Sequence, residues 1–68
     1  MTDTELLRGK IKENGLKLGY VAEQLGLTRQ GFGLKLNNTN EFTTSEVLKL
    51  CELLGITSLR EKEKIFFA

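Results

Sequence analysis

The segment from Leu18 to Asn37 places the strongest constraint on how this 68-residue chain can fold. Its first part carries apolar residues at the i, i+3, i+4, i+7 spacing of one helix face, and its second part has Phe32 and Leu36 four residues apart. Between them stand Gly26, which suits the left-handed conformation that ends a helix, and Thr28, whose hydroxyl can cap the next helix. The sequence therefore predicts two short helices joined by a tight turn. The apolar face of the first consists of Leu18, Val21, Ala22 and Leu25.

Two short helices joined in this way are typical of a helix-turn-helix, whose second helix enters the major groove of DNA. The small residue Ala22 in the first helix allows the second helix to approach closely. This pattern predicts that the partner is double-stranded DNA and that the helix starting near Arg29 reads its bases.

Capping signals and apolar spacing predict three more helices around this pair. Thr2 with Glu5, and Thr43 with Glu46, have the spacing of a capping box. The expected helices cover residues 3–14, 18–25, 29–37, 44–54 and 57–66. The chain has no proline and no strand-like alternation of useful length. The predicted fold class is therefore all-α, a compact five-helix domain that spans residues 1–68.

The composition argues against an enzyme. Histidine is absent and Cys51 is the only cysteine, so a Cys–His or Ser–His catalytic pair cannot form and a structural zinc site has too few ligands. No acid, base and nucleophile converge in the sequence, and we expect no cofactor, metal or small-molecule ligand. Cys51 falls on the apolar face of the predicted fourth helix, where a core position is expected.

The charge and hydropathy patterns bear on location and partner. No apolar run approaches the length of a membrane span and the N-terminus is polar, so we expect a cytoplasmic protein with no membrane partner. Ten Lys and Arg against nine Asp and Glu give a net charge of +1. Residues 1–35 carry six basic and four acidic side chains, whereas residues 36–68 carry four and five. The slight positive excess therefore lies in the half that holds the predicted reading helix.

The predicted third helix has a buried side and an exposed side when its residues are placed about 100° apart around Phe32. Leu36 falls on the buried side, whereas Gln30 and Leu34 point outward and Arg29 lies on the flank. Gln can form paired hydrogen bonds with adenine, Arg can do so with guanine, and an exposed Leu can contact the methyl group of thymine. The predicted base-contacting residues are Arg29, Gln30, Gly31, Gly33 and Leu34.

Gly31 and Gly33 are unusual inside a helix, because each costs about 1 kcal/mol relative to Ala. Their missing side chains would let the helix lie deep in a groove. Equally, they would make room for a crowded neighbour such as Tyr20 or the fourth helix. Spacing alone does not decide between these explanations.

Contacts to the sugar-phosphate backbone fix the position of a protein on DNA and supply most of its non-specific affinity. The amide groups at the start of the fourth helix add a site where the helix dipole favours a phosphate. Each candidate is also explained as a solvated surface residue, which is the simpler interpretation for Lys17, Tyr20 and Lys35 taken singly. The predicted backbone-contacting residues are Lys17, Tyr20, Thr28, Lys35, Asn37, Asn38, Thr43 and Thr44.

The end of the chain is strongly apolar. Ile65, Phe66 and Phe67 cannot all face one small core, and clustered exposed apolar groups usually form an interface. We therefore predict a homodimer, whose reading helices would need a spacing of about 34 Å to reach two half-sites. The alternative is that the Phe side chains fold back to cover the first helix. The predicted dimer-interface residues are Leu59, Ile65, Phe66 and Phe67.

Residues 16–56 resemble the lambda-repressor-like domain of phage repressors and Cro proteins, also called the Xre type. The resemblance rests on Val21-Ala22, Gly26-Leu27-Thr28, Phe32 and the run LCELLGI at 50–56. The run Gln30-Gly31-Phe32-Gly33 is similar to the start of the lambda repressor's reading helix, which also holds two glycines two residues apart. The segments 35–38 and 41–46, with the Phe-Phe ending, look like small repressors of Gram-positive phages and prophages.

The resemblance implies roles for the matching positions. Arg29, Gln30 and Leu34 occupy positions that usually contact bases in the family, and Asn37 one that usually contacts phosphate. It also favours the groove explanation for the two glycines. The chain departs from the family at Leu18, where a phosphate-binding Gln is frequent. A second departure is that Lys35 precedes Leu36 late in the third helix, which displaces the usual hydrophobic position.

We therefore expect a sequence-specific DNA-binding transcriptional regulator, of the phage or prophage repressor type, that occupies an operator as a dimer. The alternative is a protein-interaction module, such as an antitoxin whose apolar C-terminal helix binds a partner. Salt-dependent binding to DNA distinguishes the two.

Overall fold

Five α-helices and no β-strand make up the structure, a computed structural model that describes all residues 1–68. The helices are α1 (Thr4–Glu13), α2 (Leu18–Gln24), α3 (Arg29–Leu36), α4 (Thr44–Leu54) and α5 (Leu59–Phe66). The predicted all-α, five-helix architecture is confirmed, with helix ends that differ by no more than two residues from those expected. The chain measures 29 × 24 × 20 Å along its principal axes.

Side-chain caps explain where most of the helices begin. Thr28, Thr43 and Ser58 each accept a hydrogen bond from the backbone N–H three residues further on. At Thr43 the capping box is complete, because Glu46 accepts the Thr43 N–H in return at 2.9 Å. None of the helices is both long and apolar enough to cross a membrane.

The first helix begins differently from the prediction. Asp3 caps α1 by accepting the Leu6 N–H at 3.1 Å, while Thr2 is buried with 8% of its surface exposed. The reason is that the two ends of the chain pair with each other. The Asp3 N–H donates to the Ile65 carbonyl at 2.6 Å, and the Ala68 N–H donates to the Met1 carbonyl at 3.0 Å. This pairing draws Thr2 inward, away from the cap position.

The core contains twelve buried side chains, contributed by every helix, with Phe32 completely buried among them. The Phe42 ring, from the loop between α3 and α4, packs edge-on against Phe32 at 6.1 Å between ring centroids. It packs against Phe66 in the same way at 6.4 Å. Phe42 is therefore a half-buried side chain that packs on the core from its loop. The three rings connect α3, the α3–α4 loop and α5.

The apolar end of α5 divides between the core and the surface. Ile65 and Phe66 are 2% and 5% exposed, whereas Leu59 and Phe67 are 71% and 70% exposed. The prediction that Ile65 and Phe66 form a dimer interface is therefore wrong. These two side chains fill the core of the single chain, where α5 packs against α1 and the Phe42 ring. The alternative for the tail is that both Phe side chains fold back onto the first helix. Phe66 does turn inward, whereas Phe67 stays exposed.

An ion pair joins the end of α3 to the start of α4. The Lys35 ammonium lies 2.5 Å from Glu46 Oε1, with only 13% and 11% of the two side chains exposed. The ammonium also lies 6.0 Å from the centre of the Phe42 ring. Burial by itself would raise the pKa of Glu46, but hydrogen bonds from Lys35 and Thr43 outweigh it and leave the pKa below its ordinary value of 4.5. The same carboxylate thus caps α4 and holds α3 against it.

The adjacent residues Phe66 and Phe67 provide a matched test of the core. Phe66→Ala should destabilise the fold by about 3–5 kcal/mol, because it removes a buried ring. Phe67→Ala removes an exposed ring and should change the stability by about 0.5 kcal/mol or less. Urea denaturation followed by circular dichroism measures both. Equal losses for the two variants would contradict this placement of α5.

Glu46 should give the fold a specific pH dependence. A carboxyl group whose pKa is lowered by folding stabilises the protein above its unfolded pKa, and this contribution is lost as the pH falls through the lower folded pKa. Glu46→Gln should therefore cost about 2 kcal/mol at neutral pH, and the difference from the parent protein should shrink at an acidic pH well below the ordinary pKa of 4.5. Glu52→Gln, at an exposed position of the same helix, is the control. A Glu46→Gln deficit of the same size at both pH values would refute this role.

Candidate nucleic-acid interface

The turn between α2 and α3 sets the position of the candidate interface. Gly26 has a φ of 71°, a left-handed conformation that ends α2 without strain. The Leu27 N–H then donates to the Ala22 carbonyl at 2.9 Å, and Thr28 Oγ1 accepts the Gly31 N–H at 2.9 Å to start α3. Since α2 also packs against α3, the two helices hold each other in a fixed orientation.

One face of α3 is buried and the opposite face is open. Phe32 and Leu36 are 0% and 1% exposed. On the other side, Gln30 is exposed and Leu34 keeps 39% of its surface exposed, while Arg29 is exposed on the flank. The structure thus leaves the three predicted base-contacting side chains exposed on one helix.

The open face of α3 is free of negative charge and of internal contacts. Residues 24–40 contain no Asp or Glu. None of the side-chain hydrogen bonds in the structure uses Arg29 or Gln30, and the ion pairs use other basic residues. The guanidinium and the amide therefore keep all their hydrogen-bonding groups for an external partner.

The two glycines of α3 do not make room for Tyr20 or α4. A Cβ added at Gly33 would meet only the Arg29 Nη1 atom, at 3.9 Å, which is ordinary contact. A Cβ at Gly31 would lie 3.1 Å from Thr28 Oγ1, the hydroxyl that caps the helix. The missing side chain at Gly33 therefore has no packing explanation within this chain. It leaves the α3 backbone accessible beside Arg29.

The predicted backbone-contacting residues divide into free and occupied groups. Lys17 and Tyr20 are exposed on α2 or just before it, and Thr44 is exposed at the start of α4. Thr28 is also exposed, although its hydroxyl oxygen already accepts the Gly31 N–H. The Thr43 N–H is bound to Glu46, so this amide is not available to a phosphate.

Lys35 does not lie where the prediction needs it. Its ammonium is paired with Glu46 and its side chain is largely buried, so it is turned toward the start of α4. A phosphate contact would require breaking this pair and leaving the Glu46 carboxylate uncompensated. The predicted phosphate contact of Lys35 is therefore inconsistent with the structure.

The two asparagines after α3 are exposed, and each forms a hydrogen bond with the N-terminal part of the chain. Asn38 has a φ of 60° and its Nδ2 donates to the Thr2 carbonyl at 3.0 Å. Asn37 Oδ1 accepts a hydrogen bond from Arg8 Nη2 at 3.5 Å. Arg8 was not among the predicted site residues, because the two partners lie 29 positions apart and local spacing does not reveal such a contact.

Cys51 lies in the core and offers no reactive thiol. Its side chain is buried, with 6% of the residue exposed, as its position on α4 predicts. Burial raises the pKa of the thiol, so the reactive thiolate is disfavoured. No group of three or more Cys, Asp or Glu residues is arranged to hold a metal ion.

No model of a protein family matches the chain, and no curated protein matches it. The function must therefore be inferred from the residues and their geometry.

The glycines of α3 should respond differently to alanine. Gly33→Ala should stabilise the fold by about 1 kcal/mol, since the new methyl group meets nothing closer than 3.9 Å. Gly31→Ala should gain less, because its methyl group crowds the Thr28 cap. Gly9→Ala, at an open position inside α1, is the control and should gain about as much as Gly33→Ala. Thermal denaturation measures all three, and a loss of stability in Gly33→Ala would show that this glycine has a packing function.

Proposed function

We propose that this protein is a sequence-specific DNA-binding transcriptional regulator, in which α2 and α3 act as a helix-turn-helix. In this proposal α3 enters the major groove of duplex DNA, with Arg29, Gln30 and Leu34 against the base edges. The observation that carries the proposal is the open face of α3. It presents a guanidinium, an amide and an apolar side chain, with no acidic residue in the segment and no internal partner for the polar groups.

Gly33 supports the same proposal. A glycine inside a helix lowers stability, and its position here has no neighbour that requires it. A helix that must approach a groove closely gains from a missing side chain at the point of contact. The resemblance of the run at 30–33 to the reading helix of lambda-repressor-like proteins points the same way.

For the mode of action, we propose that the protein represses transcription by occupying its operator and blocking polymerase. Binding as a homodimer would double the number of base contacts and match a pseudo-palindromic site. Of the predicted interface residues, Leu59 and Phe67 remain exposed and available for a second copy.

The same exposed side chains favour one alternative. Leu48, Leu59 and Phe67 are 58%, 71% and 70% exposed, as expected if the surface of α4 and α5 binds a different protein. A pure protein-interaction module would not need an open, acid-free face on α3. Binding to DNA therefore decides between the two functions.

A salt titration with random-sequence duplex DNA tests the proposal. For a DNA-binding protein the logarithm of the binding constant falls linearly with the logarithm of the salt concentration, by about 0.9 per phosphate contacted. We expect a slope of several units in fluorescence anisotropy. Absence of binding at low salt, or binding that salt does not weaken, would contradict the proposal.

Gln30 should determine the base preference at one position. Gln30→Ala should cost about 1–3 kcal/mol on the preferred sequence and relax the choice of base at that position, with little effect elsewhere in the site. Gln24→Ala makes the same substitution on α2, outside the open face of α3, and should leave the profile unchanged. Binding to an array of duplexes that covers all eight-base sequences measures both variants. An unchanged profile for Gln30→Ala would refute its role in reading bases.

A further inference from the structure

Arg8 and Lys12 are two basic side chains of α1 that contribute neither to the core nor to an ion pair. Both are exposed, and the ion pairs of the structure use Lys10 and Lys35 instead. Because they are four residues apart in one helix, they lie on the same face, about 6 Å apart along its axis. Their two positive charges are therefore adjacent and free to meet an anion.

The two side chains line an open recess of about 350 Å³ between α1 and the start of α2. Its other walls are Ile11, Gly15, Leu16 and Leu18, which carry no charge and no polar side chain. The walls of the recess therefore hold no acidic group that would repel an anion from the two cations.

Arg8 also reaches the end of α3. Its Nη2 donates to Asn37 Oδ1 at 3.5 Å, which uses the acceptor side of the Asn37 amide. The Asn37 Nδ2 group makes no hydrogen bond within the chain and keeps its two donors. Guanidinium and amide N–H groups thus stand side by side where α3 ends, an arrangement that suits the oxygens of a phosphate.

We propose that Arg8 and Lys12 form a phosphate-binding strip on α1, which holds the DNA backbone beside the groove that α3 enters. The inference rests on the proposed function and names the protein's further contact with that same DNA. Leu18 at the start of α2 lines the same recess, and the exposed Lys17 directly precedes it in the chain. The strip supplies positive charge around Leu18, whose own side chain cannot bind a phosphate.

The ligand is the phosphodiester backbone of duplex DNA, and the strip takes no part in base recognition. A guanidinium can bind two phosphate oxygens at once, while an ammonium acts as a point charge. Contacts of this kind fix the register of the protein on the duplex and contribute equally to all sequences. Removing the charges of the strip should therefore weaken the salt dependence of DNA binding and leave the base preference unchanged.

The double variant Arg8→Gln with Lys12→Gln tests this inference. Its salt slope should be smaller than that of the parent protein by about 2, at roughly 0.9 per phosphate contact, and its affinity at moderate salt should fall at least about tenfold on every sequence. The matched control is Arg60→Gln with Lys64→Gln. This pair has the same residue types and spacing on α5, both side chains are exposed, and the change in net charge is the same. Circular dichroism verifies that both double variants are folded.

Charge exchange refines the test. The variant Arg8→Lys with Lys12→Arg keeps both positive charges and should keep the parent's salt slope. Equal losses of slope in the α1 and α5 double variants would overturn the inference, because net charge alone would then explain the effect. A changed base preference in the α1 double variant would also overturn it.

Failure of this inference is distinguishable from failure of the proposed function. If the parent protein does not bind duplex DNA, both are wrong. If the parent binds and Gln30→Ala relaxes its base preference, while the α1 double variant behaves like the α5 control, only the phosphate-binding strip is wrong.

Discussion

The complete burial of Phe32 is the constraint on which the rest of the structure depends. Because its ring is enclosed by the core and packs against Phe42, α3 cannot rotate about its axis. With Phe32 and Leu36 turned inward, Gln30 and Leu34 must point outward. The ion pair between Lys35 and Glu46 adds a second restraint at the other end of the helix. The open face of α3 is therefore presented by a rigid element, as a site for recognition requires.

The sequence predicts those parts of the fold that depend on local spacing. The five helices and the caps at Thr28 and Thr43 follow from periodicity and from capping residues a few positions apart. The same reasoning separates the two sides of α3, because Phe32 and Leu36 are four residues apart and lie on one face, which is the buried one.

Contacts between distant parts of the chain account for the features that the sequence does not predict. The two chain ends pair through backbone hydrogen bonds, and Thr2, which is expected to cap α1, is buried instead. Lys35 is expected to contact a phosphate or to be solvated, but Glu46 lies eleven positions later and binds it. The contact of Arg8 with Asn37 spans 29 positions. In each case the partner is set by how the helices pack, and a local pattern carries no information about it.

The near-neutral net charge still leaves free cations around the proposed interface. Of the ten Lys and Arg residues, only Lys10 and Lys35 are ion-paired, which leaves eight. Four of these eight, Arg8, Lys12, Lys17 and Arg29, lie on α1, before α2 and at the start of α3. The proposed function requires a positive potential only where the phosphates pass, so a net charge of +1 is compatible with it.

Selection of bound sequences from a random pool of duplex DNA tests the central claim most directly. The account predicts that the unaltered protein enriches one motif, with two related half-sites whose centres lie about one helical turn, or 10 base pairs, apart. Enrichment of a single half-site would still support base reading by α3 but would contradict binding as a dimer. Recovery of a pool with no enriched motif, at a salt concentration where the protein is folded, would contradict the claim that α3 reads DNA sequence.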